Sequence, residues 1–487
     1  MSEEINNSER DFEDLAKYAK LMKNYIRPPN TNKNYYNQYT RYSKSDILEL
    51  LNYPDQNEKA LRNASIYLYN MSSHYRRLIS YFASMPTYDY YLVPLKIDSS
   101  SKINAKSLKS CFKKATDQVE LMNLKHELVK IAKTCFREDV FYGYEYESKD
   151  SYFIQPLKPD YCRIVAVEDG VYVFEFDFSY FNSRSELLEY YGSEFKKKYE
   201  LYKKNSAEMR WQELNSKNSV CFKLNEDLNY IIPPFAGTFP DIYDIADYKQ
   251  LMKAKTEVEN YKLLSMKLPF ENGEFQIPLP LAREFYSQVA SQLPEGIGLG
   301  LSPMDMDDFS FDQSGSTQNT DAVTKSEAAF WSAAGASAAI LGGDVTSSSA
   351  IMLSIETDAG IVYSFLRQVE RWINKKLKQL SGTYHFKLVF LNSTIYNRKE
   401  IQKQMLEACQ YSLPAKYAAS AAYGISPSDF EGLLVLENEV MALHEKMVPV
   451  ASSHTQTSDN SEAGRPAQDT VDETGEQTRG IDANDNR

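Results

Sequence analysis

The sequence predicts a mixed α+β fold that is mainly helical, on three observations. Apolar residues recur at steps of mostly three and four over 61–82 (Ala64, Leu68, Met71, Tyr75, Leu78, Ile79, Phe82) and over 350–380 (Ile351, Ile355, Val362, Leu366, Val369, Ile373, Leu377, Leu380). That spacing gives a helix one buried face. Between them lies a block in which apolar residues alternate, with 161–167 and 171–178 flanking the turn residues Glu168-Asp169-Gly170; this is the pattern of two antiparallel strands. Proline and glycine then punctuate the middle of the chain, at Pro233, Pro234, Pro269, Gly273, Pro278 and Pro280, and mark breaks between elements.

Taken in order, residues 11–24 suit a short helix and 28–40 an Asn/Tyr-rich arm. A helix at 45–52 precedes the 61–82 stripe, which Pro86 ends, and 88–95 reads as a strand. Residues 107–136 are helical, 152–154 strand-like, and 187–202 helical again. A helix from Asp241 towards Lys267 has Pro240 in its first turn, a position where the missing N–H is tolerated. An irregular region follows, containing a short helix at 282–292, a Gly-rich patch at 296–300 and a polar loop at 312–319. Residues 320–340 form a helix of mostly small side chains, stopped by Gly342-Gly343-Asp344. Ser347, Ser348 and Ser349 offer N-cap oxygens to the long helix that follows, and Lys375, Lys376 and Lys378 complement the negative end of its dipole. A strand at 384–391 comes next, then a helix from Asn397 to Gln410 in which Asn397 and Glu400 resemble a capping box. A helix at 415–422 ends at Gly424, and a last helix runs from Pro427 to about Lys446. Beyond Pro449 the composition is Ser, Thr, Asp, Glu, Gly and Gln, which cannot build a core.

Composition narrows the function. The chain has 487 residues, enough for about three domains, and at 43% hydrophobic and 25% charged it is ordinary globular material. Its 36 tyrosines suit partly wet interfaces, or simply a Tyr-rich surface. A protein that grips DNA phosphates draws its affinity from Lys and Arg, yet the net charge here is −12. The chain therefore either avoids nucleic acid or lets it slide past. The five cysteines (Cys111, Cys135, Cys162, Cys221, Cys409) are scattered and odd in number, a pattern of reduced thiols rather than a disulfide frame. The longest uncharged run, 328–343, is too short and too rich in Ala, Ser and Gly to span a membrane, so no membrane partner is expected.

Catalytic signatures are weak. His126-Glu127 has Lys130 where a zinc-protease helix needs its second His, and His444-Glu445 has Val448 there; one imidazole cannot hold a catalytic zinc. There is no G-x-x-x-x-G-K-[ST] loop for phosphate, and Gly296, Gly298 and Gly300 lack the dinucleotide spacing. Asp241, Asp244 and Asp247 on one helix face, and Asp305, Asp307 and Asp308 in a loop, could gather a divalent ion. Helix-dipole and solvated-loop roles explain them more simply. No cofactor, metal or catalytic residue is expected.

The order of elements carries a resemblance. One helix leaves a folded body, a Pro/Gly-rich excursion follows, a small-residue helix returns, a loop breaks it, and a long helix re-enters the body. This arrangement resembles the portal, or head-to-tail connector, proteins of tailed double-stranded-DNA bacteriophages, of the type found in phages and prophages of Gram-positive hosts. The stretches 67–78 (YLYNMSSHYRRL), 153–157 (FIQPL), 159–164 (PDYCRI) and 341–349 (LGGDVTSSS) are similar to that group. The likeness covers about 40–447. It implies a fold of wing, stem, clip and crown that forms a ring. By position, 1–40 would be an N-terminal arm and 41–232 the first part of the wing. Residues 233–267 would be a stem helix, 268–312 the clip, 313–340 the second stem helix and 341–350 the tunnel loop. The wing would resume over 351–424, with a crown at 425–448 and a disordered acidic tail at 449–487.

The resemblance further implies a structural subunit, not an enzyme, of a dodecameric ring at one capsid vertex, assembled in the host cytoplasm and resident in the virion. Its partners would be other copies of the chain, double-stranded DNA bound transiently and without sequence preference, and the terminase large subunit. Major capsid and scaffold proteins and the head-completion or tail connector protein complete the set. Residues at or near the tunnel loop, Lys325, Gly342, Gly343, Asp344, Thr346, Ser347, Ser348 and Ser349, would face the DNA channel. Pro269, Phe270, Phe275, Ile277 and Pro278 in the clip would meet partners. Two other readings remain at this point: another minor virion protein, such as an adaptor or scaffold-binding protein, and a metal-dependent nuclease built on the Asp groups.

Overall fold

A computed structural model describes residues 41–97, 103–148, 151–227, 229–259, 262–267, 269–271, 274–293, 297–302, 309–310, 317–336 and 348–443. The expected N-terminal arm with its 11–24 helix, and the acidic tail, lie outside these residues. The chain divides into two compact units, Met1–Phe430 and Glu431–Arg487. The fold class is the expected one, mixed and mostly helical.

The first elements are α1 (Lys44–Asn52), α2 (Glu58–Met71) and α3 (Ser73–Ser84). The stripe at 61–82 therefore spans two helices rather than one. Ser72 breaks it: its backbone is extended, and its Oγ accepts from the Tyr75 N–H at 3.3 Å, capping the second helix. After strand β1 (Tyr90–Leu95), the single helix expected over 107–136 is likewise split, into α4 (Ala105–Leu121) and α5 (Leu124–Glu138). Asn123 stands between them at φ 45°, a left-handed conformation that Asn tolerates better than most residues. Strands β2 (Val140–Glu147), β3 (Tyr152–Pro156), β4 (Cys162–Glu168) and β5 (Val171–Asp177) follow. Asp169 (φ 51°) and Gly170 (φ 75°) make the tight β4–β5 turn, as two-residue hairpins of the primed type require. The helix expected at 187–202 is a 3₁₀ segment at Ser185–Tyr190 and then α6 (Ser193–Lys204).

Strands β6 (Trp211–Glu213) and β7 (Ser219–Lys223) complete two antiparallel sheets, ordered β3-β2-β7 and β4-β5-β6. Helix α7 (Phe239–Glu259) then leads into β8 (Lys262–Lys267), β9 (Phe270–Glu271), β10 (Glu274–Phe275), α8 (Leu279–Gln292), β11 (Ile297–Ser302) and β12 (Phe309–Ser310). Three expectations change here. The helix from Asp241 stops at Glu259, and 262–267 is a strand because it pairs with β11 in parallel and with β12 in antiparallel. The region read as irregular is a small β-α-β unit, and the Gly-rich patch is its strand β11. Local propensity does not reveal such pairing, since strand preference reflects distant neighbours.

The C-terminal elements are α9 (Thr317–Ala333), α10 (Ser348–Lys378), β13 (His385–Phe390), α11 (Arg398–Gln410), α12 (Lys416–Ala422) and α13 (Pro427–Leu434). A π-helical turn over Val435–Val440 continues α13, so the last helix is not a regular α-helix to Lys446. Asn397 does not form the expected capping box. Its Oδ1 instead accepts from the Thr394 N–H at 2.7 Å and from the Thr394 hydroxyl at 3.1 Å. The β1–β13 pair is antiparallel, with Tyr90 opposite Phe390 and Leu95 opposite His385.

Two apolar cores hold the first unit. The larger packs α2, α3 and α5 against α10 and the β1–β13 pair, through Leu68, Leu78, Phe82, Phe136, Val362, Phe365, Val369, Ile373 and Leu388. The smaller is aromatic: Tyr142, Tyr144, Phe174, Phe176, Phe178, Phe181, Phe195 and Tyr199 bring the two three-stranded sheets together with α6. Many tyrosines are thus core residues, with hydroxyls tied off as at Tyr144 Oη, 2.6 Å from Glu194, rather than a wet surface.

One buried ion pair joins the start of β2 to the end of β7. Lys223 Nζ lies 3.4 Å from Asp139 Oδ2, with the side chains 5% and 0% exposed. Asp139 also ends α5 at φ 71° and accepts from the Asn225 N–H at 2.9 Å. Burial pushes its carboxyl up to about 6, against the pull of Lys223 and Asn225. Removing one partner of a buried pair strands the other charge. Lys223→Met is therefore expected to cost roughly 3 kcal/mol, a penalty that grows as pH rises past the value at which Asp139 ionises. Adding Asp139→Asn should return at least half of it. Urea unfolding of the four-member cycle at two pH values measures both.

Candidate channel wall and clip

Two helices and the module between them form the candidate site. Pro233-Pro234 and a 3₁₀ turn at Ala236–Thr238 aim α7. Its first half is anchored in the large core by Phe239, Ile242, Tyr243, Ile245 and Ala246. Tyr75 packs edge-on to Phe239 at 5.5 Å, and the Tyr243 hydroxyl donates to the Tyr42 carbonyl at 2.9 Å. From Asp247 to Ala254 no residue is buried, and Tyr248, Leu251 and Met252 are exposed. The helix thus leaves the core carrying apolar side chains outward.

Helix α9 returns. It was expected to run to Ile340 as a helix of small residues, but it ends at Ala333, and 337–340 lie outside the described residues. Gly335, at φ 66°, sets the end. The Ala336 N–H reaches the Trp331 carbonyl at 3.1 Å and the Gly335 N–H reaches that of Ser332 at 3.1 Å, the two bonds of a Schellman motif. Phe330 and Trp331 are buried in the large core, so the returning end is anchored by aromatics. The sequence signal was present: two aromatics four residues before a glycine in an Ala-rich run.

A polar clamp joins the two helices to α3. Lys249 Nζ on α7 lies 2.8 Å from Glu327 Oε1 on α9, and His74 Nε2 on α3 lies 3.1 Å from the same oxygen. The His74 ring sits beside Phe330 and Trp331, at 6.3 and 6.2 Å. Burial lowers the His74 pKa, with Lys249 and Arg77 adding to the effect and Glu327 opposing it. Glu327 is in turn held below the usual glutamate value, its hydrogen bond and charge pairing with Lys249, together with His74, outweighing burial. Sequence reasoning found none of the three, because they are 253 positions apart at the extremes.

Of the expected channel residues, Lys325 lies on α9, exposed, about 200° round the helix from Glu327. Ser348 and Ser349 form the first turn of α10. Gly342, Gly343, Asp344, Thr346 and Ser347 lie outside the described residues. In the clip, β8, α8 and β11 enclose a small core of Ala282 and Leu301 with Met266, Ile277 and Tyr286 around it. Ile277 thus packs inward. Phe270 and Phe275 stand opposite each other in the β9–β10 hairpin, whose connecting Asn-Gly pair is a hairpin signal the sequence reading passed over. Pro269 is half-buried, and Pro278 is exposed at the N-cap of α8, where Leu281 and Phe285 also face outward.

The carboxylate groups do not converge. Asp244 is engaged by Lys44 from α1, and Asp241 is raised by burial and by Asp244. Asp305, Asp307 and Asp308 lie outside the described residues. Among the described residues, no group of three or more His, Cys, Asp or Glu could hold a metal ion, and no helix is long and apolar enough to cross a membrane.

The clamp makes stability pH-dependent. A histidine depressed on folding contributes stability that is present above its unfolded value and lost as pH falls through the folded one. The depressed Glu327 acts in the same direction at lower pH. His74→Gln keeps a donor to Glu327 but does not titrate. It is expected to flatten the fall in urea midpoint between about pH 7 and about pH 5, measured against the unsubstituted chain.

No protein-family model matches the chain, and no curated protein matches it. Solved structures do. A chain of the virion of a native gene transfer agent particle is 10% identical, with a TM-score of 0.40, covering 79% of this chain and 100% of that one. A chain of the neck of the native gene transfer agent particle, computed with C12 symmetry, is 11% identical over 78% of this chain and 96% of that one, with a TM-score of 0.37. An HK97-family phage portal protein from Corynebacterium diphtheriae is similar at 12% identity, covering 69% of this chain and 94% of that one, with a TM-score of 0.29.

Proposed function

We propose that the chain is a portal subunit of a tailed double-stranded-DNA bacteriophage, one copy of a dodecameric ring through which the genome passes. The observation that carries this reading is the α7–clip–α9 excursion. One helix leaves the core, a separately packed β-α-β module caps it, and a second helix returns to an aromatic anchor. Such a projection has little to bury within its own chain but serves well as a stave in a ring of identical copies.

The charge supports the same reading. A net charge of −12 lacks the phosphate-neutralising Lys and Arg on which tight DNA binding depends, and a conduit must let DNA slide. Within a ring, one Lys325 per copy becomes a girdle, so no copy needs strong affinity. In this reading the clip residues Pro269, Phe270, Phe275 and Pro278 meet the terminase large subunit and then the connector protein. The 341–350 loop faces the DNA, the wing meets capsid and scaffold proteins, and the chain performs no catalysis.

Negative-stain imaging of the purified chain is expected to show rings with a central hole. A chain that stays monomeric at high concentration and alongside its partner proteins overturns the proposal. Deleting 343–348 should leave rings intact while packaging or DNA retention falls, since that loop contributes to neither helix stripe. Loss of the ring would instead mark the loop as an assembly element. Truncation after Pro449 should leave the melting temperature unchanged, and a drop of several degrees would show that the tail packs.

A further inference from the structure

The second compact unit carries an apolar surface that its own sequence cannot cover. Leu433, Leu434, Val435, Leu436, Val440 and Met441 are all between 39% and 67% exposed. Four of them are consecutive. At about 100° per residue, four consecutive helical positions spread over roughly 300° of the circumference, so they form no single stripe. A helix apolar on one face packs on a core, whereas one apolar all round is buried among several neighbours. Runs of four exposed apolar residues are otherwise selected against.

Composition decides what the neighbours are. After Pro449 the chain contains Val450, Val471 and Ile481 and no Leu, Phe, Met, Tyr or Trp. That tail cannot supply an apolar wrap. The irregular hydrogen bonding adds a second mark: the run passes from α-helix into a π turn at Val435–Val440, a geometry that recurs at functional positions. The first unit also exposes Leu406, Tyr411 and Leu413 at the turn joining α11 to α12. An exposed apolar helix and a different exposed apolar patch on the same chain are what a head-to-tail contact between identical copies requires, and such contacts close into rings.

We propose that the helical segment 431–441 is an interface between copies of this chain, buried on more than one side by neighbouring subunits. This rests on the ring reading and adds to it which segment holds the ring together. It also gives the 425–448 region a task in assembly rather than one confined to the capsid interior.

The test uses the full-length chain with Leu434→Glu and Leu436→Glu together, compared with the unsubstituted chain by native mass spectrometry and light scattering across a dilution series. The expected result is that the concentration of half-dissociation rises at least about tenfold, while the melting temperature of the dissociated chain is unchanged. An unaltered dilution profile overturns the inference and leaves the ring reading standing. A lower melting temperature in the dissociated chain also overturns it, because the segment is then covered by its own polypeptide. If the unsubstituted chain forms no ring at any concentration, the reading under Proposed function fails, and this inference fails with it.

Discussion

The constraint on which the first unit depends is the long helix α10. Its apolar face (Val362, Phe365, Leu366, Val369, Ile373, Leu377) is buried from end to end, at roughly 1.5–3 kcal/mol per large side chain. Its polar residues then terminate sheet edges. Asn374 exchanges hydrogen bonds with both backbone groups of Leu388 (2.7 and 3.1 Å), and Glu370 accepts from the Phe390 N–H at 2.7 Å. Without them the two-stranded β1–β13 pair would present an open edge. Gln368 does the same for β7, bonding both backbone groups of Lys223. One rod thus fixes the registration of two sheets, and Asp358 near its start accepts from the Tyr81 hydroxyl of α3 at 2.9 Å.

Everything proposed for function hangs from that frame. Helix α7 starts on the core and α9 ends on it, and the Lys249–Glu327–His74 clamp joins both to α3 just where α7 ceases to be buried. Beyond the clamp, the stem and clip depend on local packing alone, with a core as small as Ala282 and Leu301 and their neighbours. That division assigns rigidity to the wing and leaves the excursion reliant on contacts outside its own chain. The exposed Leu251, Leu281 and Phe285 are consistent with such contacts.

The lysines at the end of α10 illustrate how a general rule acquires a specific meaning. Helix-dipole complementarity accounts for their placement in the last turn. In the fold each has its own acid: Lys375 pairs with Glu168 at 2.7 Å, Lys378 with Asp169 at 2.7 Å, and Lys376 with Glu145 and Glu147. The β4–β5 turn and the end of β2 are thereby brought to the same helix end, which joins the aromatic core to the larger one.

The sequence alone determined the helical stripes at 61–82 and 350–380, the β4–β5 hairpin, the β13 strand and the proline-bounded excursion. Each depends on periodicity or turn chemistry within a dozen residues. It also held the end of α9 in Gly335 and the breaks at Ser72 and Asn123, signals of one residue each that a longer apolar period concealed. Only the tertiary structure decided that 262–267 is a strand, that β8 and β11 run parallel around α8, that Asp139 and Lys223 pair, and that His74, Lys249 and Glu327 meet. These pairings join residues from 29 to 253 positions apart in the chain, and the free energy that selects them comes from desolvation and hydrogen bonding between segments that no local window contains.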